Sequence, residues 1–206
     1  MVEMLVSIAI VGVLAALVLS GFGRVNENAR VAKCASNLRQ IGQGIVLYMG
    51  DNDGKLPTWE TVTNVGSTTW QEKIAPYLVG NKGAVNNQRF VLRTYLGCPS
   101  DKGGGIVYGV NKYLTPESRS GAYTRLLNVK TKLSDTLLVG ENYTAELWNI
   151  NPGNGKSSDN VDYTRHKVGS KKAVANFLFA DFHVETLSYQ DAVARPVIMD
   201  PQGANL

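Results

Sequence analysis

The chain has 206 residues, of which 44% are hydrophobic and 18% charged, with a net charge of +4 and two cysteines. That length holds one domain and a long helix rather than several domains. The basic residues (Arg24, Arg30, Lys33, Arg39, Lys171, Lys172) are scattered rather than interleaved with aromatics, which argues against a nucleic-acid partner.

Residues 1–23, MVEMLVSIAIVGVLAALVLSGFG, organise the rest. From Met4 to Phe22 no side chain is charged, and Ser7 and Ser20 are its polar residues. As a helix these nineteen residues span about 28 Å, close to the hydrocarbon thickness of a bilayer. One ionisable group, Glu3, stands near the tip, where lipid burial is costly unless the carboxylate is protonated or paired. Three readings compete: a cleaved secretory signal, a permanent anchor, and a helix held in a membrane for a time and then packed against copies of itself. A signal needs a basic front and a shorter apolar run. The third reading alone gives Glu3 a task, pairing with the amino terminus of a neighbouring copy. Ser7, Ala9, Gly12, Ala15 and Ala16 suit close helix packing.

The run VEMLVSIAIVGVLAALVLSGFG resembles the N-terminus of type IV pilins and type II secretion pseudopilins. The resemblance implies cleavage by a prepilin peptidase, methylation of the new N-terminus, an inner-membrane assembly platform and identical subunits as partners. It implies an inner-membrane location before assembly and an extracellular or periplasmic filament afterwards. Assembly contacts are then expected at Glu3, Leu5, Ile8, Gly12 and Leu14. The family glutamate is fifth in the mature chain and is third here. This implies truncation at the front, or a Met standing at the third mature position, with the cleavage site on no residue present. Arg24, Arg30 and Lys33 behind the run favour a cytoplasmic carboxyl side, whereas the family orientation is the reverse.

Beyond Gly23 the helix is expected to continue to about residue 49. Val25, Ala29, Ala32, Ala35, Leu38, Ile41, Ile45 and Tyr48 step by three or four, with Arg24, Glu27, Arg30, Lys33, Asn37 and Gln40 off that stripe. The two halves make a rod of roughly 70 Å. Gly12, Gly21 and Gly23 are helix-weakening, so the stretch from Gly12 to Gly23 is where unwinding is expected. Cys34 lies beside the stripe. Cys34 and Cys98 have no close cysteine neighbour and do not read as a zinc site. In an exported domain they form one disulfide; the alternative is two buried thiols.

Met49 to Gly54 is turn chemistry. Its D-x-D-G spacing also suggests a calcium loop, but Trp59 and Val62 occupy positions where such a loop places ligands. Trp70 to Leu78 reads as a short helix capped by Thr68 or Thr69 and strained by Pro76. Val79 to Gly105 is irregular, and Gly103-Gly104-Gly105 lacks the Lys-Ser/Thr of a phosphate loop. Strands are expected at Ile106–Leu114, Thr136–Glu141, Val174–Ala180 and His183–Leu187, the last two as a hairpin turning at Asp181-Phe182. Asn151 to Asp162 is a polar loop. Asp191 to Leu206 reads as a short helix and tail.

The expected fold is α+β: a front helix over 1–23, its amphipathic continuation over 24–49, and a globular domain with a small antiparallel sheet over 50–206. The series Cys34, Asn37-Leu38-Arg39-Gln40-Ile41-Gly42, Tyr48, Gly54, Pro57, Trp70, Pro76-Tyr77-Leu78, Cys98-Pro99-Ser100, Arg165-His166 and Phe179-Ala180-Asp181-Phe182-His183-Val184 resembles the pilin-like family with an H-X9-DG C-terminal motif. Two departures stand out. Fourteen residues separate His166 from Asp181, and Phe182 replaces the family glycine at a turn where φ > 0 suits glycine.

His166, Asp181 and His183 are the candidate metal ligands, since Asp181 and His183 would share a strand face and two histidines with a carboxylate make a known donor set. The competing reading is hydrogen bonding that ties loop to hairpin. No serine or cysteine nucleophile motif accompanies the two histidines. The resulting expectation is a non-enzymatic filament subunit without a cofactor. The alternative is an anchored periplasmic binding or catalytic domain using the sheet face and the Asn151 to Asp162 loop.

Overall fold

The computed structural model describes residues 2–58, 69–79, 96–101, 108–111, 114, 125–142, 161–163, 165–168 and 172–194. Within helices and strands it describes the backbone alone at 18–22, 24, 167, 168, 172 and 193. The Asn151 to Asn160 part of the polar loop, the triple glycine at 103–105, Thr68, Trp59, Val62 and the tail beyond 194 lie outside the described residues.

Helix α1 is one uninterrupted element, Val2–Asp51. Gly12 and Gly23 sit within it with no other group within 4 Å of where a Cβ would stand. The helix ends where left-handed residues break it: Asp53 has φ 55 and Gly54 φ 72. The Gly54 N–H caps the Met49 carbonyl at 2.8 Å, and Asn52 Nδ2 donates to the Tyr48 carbonyl at 2.8 Å. Asp51 accepts the Tyr77 hydroxyl at 2.9 Å, and Asp53 lies 3.7 Å from Lys55 Nζ.

Helix α2, Trp70–Val79, begins with a reciprocal capping box. The Thr69 N–H donates to Glu72 Oε2 at 2.7 Å, and the Glu72 N–H reaches Thr69 Oγ1 at 3.4 Å. Pro76 is accommodated inside it. The two helices approach closely at Gly44, where a Cβ would stand 3.0 Å from the Leu78 side chain.

Among the described residues the sheet has five antiparallel strands: β1 (Tyr108–Val110), β2 (Leu137–Glu141), β3 (His166–Val168), β4 (Lys172–Phe179) and β5 (Val184–Ser188). A short helix α3, Tyr189–Ala194, follows. β4 is the hub. β5 pairs along Val174–Leu178 on one edge. On the other edge β2 pairs with Phe177–Phe179 and β3 with Lys172–Val174. β2 and β3 are thus two segments of one interrupted ladder. The excursion between them is closed at its base by the Asn142–Val161 bridge and by the Asp162 N–H donating to the Glu141 carbonyl at 3.0 Å. Glu141 and His166 therefore meet end to end.

Alternation along β4 serves two cores. Leu178 and Ala180 join Cys34, Leu38, Ile41, Ile45, Trp70 and Ile74 under α1 and α2. Ala175, Phe177 and Phe179 pack with Tyr163, Leu187 and Ala192 on the opposite face. The buried side of α1 runs through Val31, Cys34, Leu38, Ile41 and Ile45. The expected stripe holds from Ala35 onward. It fails before that: Val25 is 64% exposed, Ala29 and Ala32 are exposed, and Val31 and Cys34 take the inward face. Asn37, expected on the polar side, is fully buried because Nδ2 donates to the Gly97 carbonyl and to the Tyr108 hydroxyl, both at 3.1 Å.

The β4–β5 turn is a three-residue loop. The Phe182 N–H donates to the Phe179 carbonyl at 2.9 Å, and the Phe179 N–H to the His183 carbonyl at 3.0 Å. Phe182 takes the left-handed position, φ 69, where this loop type favours glycine. Its ring compensates by packing against the main core beside Gly42.

An exposed apolar rod and a buried cysteine, histidine and glutamate cluster

Two features of the fold carry chemistry. The first is the front of α1. Val2, Met4, Leu5, Ile8, Val11 and Leu17 are 63–76% exposed. Glu3, Leu5, Ile8, Gly12 and Leu14, the expected assembly residues, all lie on this uncovered part of the rod. Ser7 Oγ donates back to the Glu3 carbonyl at 2.8 Å, a local helix bond that leaves the Glu3 carboxylate at the tip. Among the described residues no helix is long and apolar enough to cross a membrane.

The second feature lies where α1 meets the sheet. Cys34 on α1 and Cys98 form a disulfide with Cα atoms 5.4 Å apart. His166 Nε2 sits 3.5 Å from Cys98 Sγ and 3.1 Å from Glu141 Oε1. His166 Nδ1 faces Ser100 Oγ at 3.2 Å and Glu27 Oε1 at 3.4 Å. The break in the ladder between β2 and β3 is filled by the Glu141 side chain: Oε2 accepts the Asn176 N–H at 3.0 Å, and Oε1 accepts Asn176 Nδ2 at 2.9 Å. Glu141, His166 and Asn176 are all fully buried.

Burial alone would lower the His166 pKa. The hydrogen bond and charge of Glu141, followed by those of Glu27, outweigh it and raise the pKa above the ordinary value. Burial, reinforced by the Glu141 charge, pushes the Tyr108 hydroxyl far up, so it stays a neutral donor to the Cys34 carbonyl at 3.4 Å.

His166, Asp181 and His183 do not form a common site. His166 opens β3 opposite Val174, whereas Asp181 lies in the turn beyond Phe179. The six residues between Val174 and Asp181 extend about 20 Å. Asp181 and His183 are also not on a strand, since β5 begins at Val184. They pair locally, His183 Nδ1 to Asp181 Oδ1 at 2.5 Å, with the His183 ring stacked on Phe179. What brings ligand-type atoms together is Cys34, Cys98, Glu141 and His166, all buried and within 4.8 Å of one another. The sequence reading missed Glu27, Glu141, Asn176 and strand β3. The one available signal was polar residues set in apolar strands, Asn176 inside Val174 to Phe179 and Glu141 closing Leu137 to Val139.

No family model, curated protein or solved structure matches the chain.

Proposed function

We propose that the chain is the structural subunit of a filament of the type IV pilus or type II secretion pseudopilus kind, assembled through the front of α1. One observation carries the reading. Among the described residues, a 50-residue helix is gripped by its domain in the rear, with Cys34, Leu38 and Ile45 at 0% exposure, while the large apolar side chains between Val2 and Leu17 stay more than half exposed. An apolar surface of this extent needs a cover. Burying ten exposed large side chains between Val2 and Leu17 is worth about 15–30 kcal/mol before the entropy of association is subtracted. Lipid covers the rod before assembly and neighbouring rods afterwards. The domain then forms the outer surface of the filament, and the fold is pilin-like in this sense. Small residues Ser7, Ala9 and Gly12 permit close approach of rods. Glu3 sets their stagger, since a buried unpaired carboxylate penalises a misplaced neighbour.

Glu3→Ala tests the reading. In cells carrying the assembly machinery, filaments containing the wild-type chain are expected by electron microscopy. The variant is expected to remain in the membrane fraction at wild-type abundance without filaments. Filaments of normal length and yield from the variant, or none from either chain, would refute the role given to Glu3 and to the rod.

A further inference from the structure

We propose that the Cys34–Cys98 disulfide is one of two states of this junction, and that on reduction Cys34, Cys98, His166 and Glu141 become the ligands of a tetrahedral zinc ion. The proposal does not rest on the filament reading.

The donor set carries the argument. Four ligand atoms, two sulfurs, a ring nitrogen and a carboxylate oxygen, converge from α1, the 96–101 segment, β2 and β3 to within 4.8 Å of one another. A zinc ion with bonds of about 2.0–2.3 Å places its ligands about 3.3–3.8 Å apart at the corners of a tetrahedron. The separations from Nε2 are 3.5 Å to Cys98 Sγ and 3.1 Å to Glu141 Oε1, so the histidine is already near that spacing from one sulfur and from the carboxylate. Cleaving the sulfur–sulfur bond lets the two sulfurs move to theirs. Two thiolates and an imidazole select zinc over the hard cations calcium and magnesium.

The groups around the ligands point the same way. A zinc-bound imidazole ordinarily gives its other N–H to a carboxylate or hydroxyl, which fixes its orientation. His166 Nδ1 already faces Glu27 Oε1 and Ser100 Oγ. The Glu141 carboxylate is in turn oriented by the backbone and side-chain amides of Asn176. A disulfide alone has no need of either arrangement, and its two sulfurs form no ion pair with His166.

The chemistry balances. A dithiol reductant gives two electrons and two protons to the disulfide. It leaves as its own cyclic disulfide, and Cys34 and Cys98 become thiols. Zinc then displaces both thiol protons, so the two sulfurs release two protons for each ion bound, and His166 binds through Nε2 with a proton on Nδ1 facing Glu27 and Ser100. An oxidant that is itself a disulfide takes two electrons and two protons to become a dithiol; the Cys34–Cys98 bond re-forms, two ligands are lost and the ion is expelled. One junction is therefore stapled covalently under oxidising conditions and by metal under reducing conditions, without moving α1 off the sheet.

The test uses the full-length chain in detergent, as disulfide and after anaerobic reduction. Cobalt(II) is the probe, with zinc as competitor. The reduced chain is expected to take up one equivalent, with the thiolate-to-cobalt charge-transfer band and the strong visible bands of tetrahedral cobalt, all erased by one equivalent of zinc. The disulfide form is expected to show neither. His166→Ala and Glu141→Gln are expected to weaken uptake at least tenfold, and Glu27→Gln, a positioning change, about tenfold. Should the variants unfold, alkylation of the reduced wild-type thiols reads the same question, with zinc slowing it at both cysteines. Cobalt bands no stronger than in the Cys34→Ser/Cys98→Ser chain, or alkylation indifferent to zinc, would overturn the proposal.

Discussion

Replacing Glu141 by Ala asks whether charge holds the junction between helix and sheet. The carboxylate is fully buried and serves three buried donors: the Asn176 N–H, Asn176 Nδ2 and His166 Nε2. Each donor left without an acceptor costs about 1–3 kcal/mol. Stripping one member from a buried ion pair costs about 3–5 kcal/mol. The two figures overlap, because His166 sheds its proton once the carboxylate is gone, so the expected loss is about 3–5 kcal/mol in the disulfide form. The pH dependence supplies a signature that a simple cavity would lack. His166 has a folded pKa above its unfolded value of about 6.5. A raised folded pKa contributes stability that is fully present below the unfolded value and is lost as pH rises through the folded one. The wild type is therefore expected to lose stability across that window on going from mildly acidic to alkaline solution. Glu141→Ala is expected to lose that slope, because burial, the largest single influence on His166, is then opposed by Glu27 alone. Urea unfolding at a series of pH values, followed by fluorescence of the buried Trp70, measures both quantities. A variant within about 1 kcal/mol of wild type at every pH, or one with the wild-type slope, would refute the reasoning.

Three further predictions concern the scaffold. Cys34→Ser with Cys98→Ser removes a cross-link spanning 64 residues, and denaturant unfolding is expected to show a loss of about 4 kcal/mol against the oxidised wild type; an unchanged midpoint would contradict it. Gly54→Ala places a Cβ in open space at φ 72, so its cost is conformational alone, about 1 kcal/mol, and a chain as stable as wild type would show that the helix end relaxes. Leu38→Ala empties a fully buried position on α1 and is expected to cost about 2–5 kcal/mol by the same measurement. A loss below about 1 kcal/mol would mean that the rear of the helix is not the core.

Local rules read the scaffold well where periodicity or chemistry was dense. Leu38, Ile41 and Ile45 repeat at helical spacing, and all three are buried. Thr69 is followed three residues later by Glu72, and the two cap α2 reciprocally. Strand β3 was illegible because its three residues, His166, Lys167 and Val168, are too few to show alternation. The buried cluster was illegible for a different reason. Its members stand at 27, 34, 98, 141, 166 and 176, and no spacing records that β2 and β3 share one edge of β4. Residue-type rules then misled at the hairpin. A histidine beside an aspartate two positions away suggested a shared metal, but the turn uses that pair on itself. Phe182 adopts a backbone angle its type resists, because its ring gains a place in the core.

The placement of the cluster along α1 ties the two proposals to one mechanical question. A rod buried in a filament transmits force to its domain only through the stretch that the domain grips. That stretch begins at Glu27, which meets His166, and at Val31, whose carbonyl accepts Asn176 Nδ2 at 3.4 Å. It continues through the Cys34 disulfide and the buried Asn37. Apolar contacts alone, at Leu38, Ile41 and Ile45, would let the helix slide along its axis by one turn, since a similar set of side chains recurs at that interval. Directional bonds forbid such a slip. A disulfide, an amide bonded to Gly97 and Tyr108, and a carboxylate facing an imidazole each fit one axial position only. They crowd into the first turns of the gripped stretch, next to the exposed rod, where a pull along the helix would be felt first. Polar and covalent groups therefore occupy the place where an apolar interface would hold the domain on but not in register.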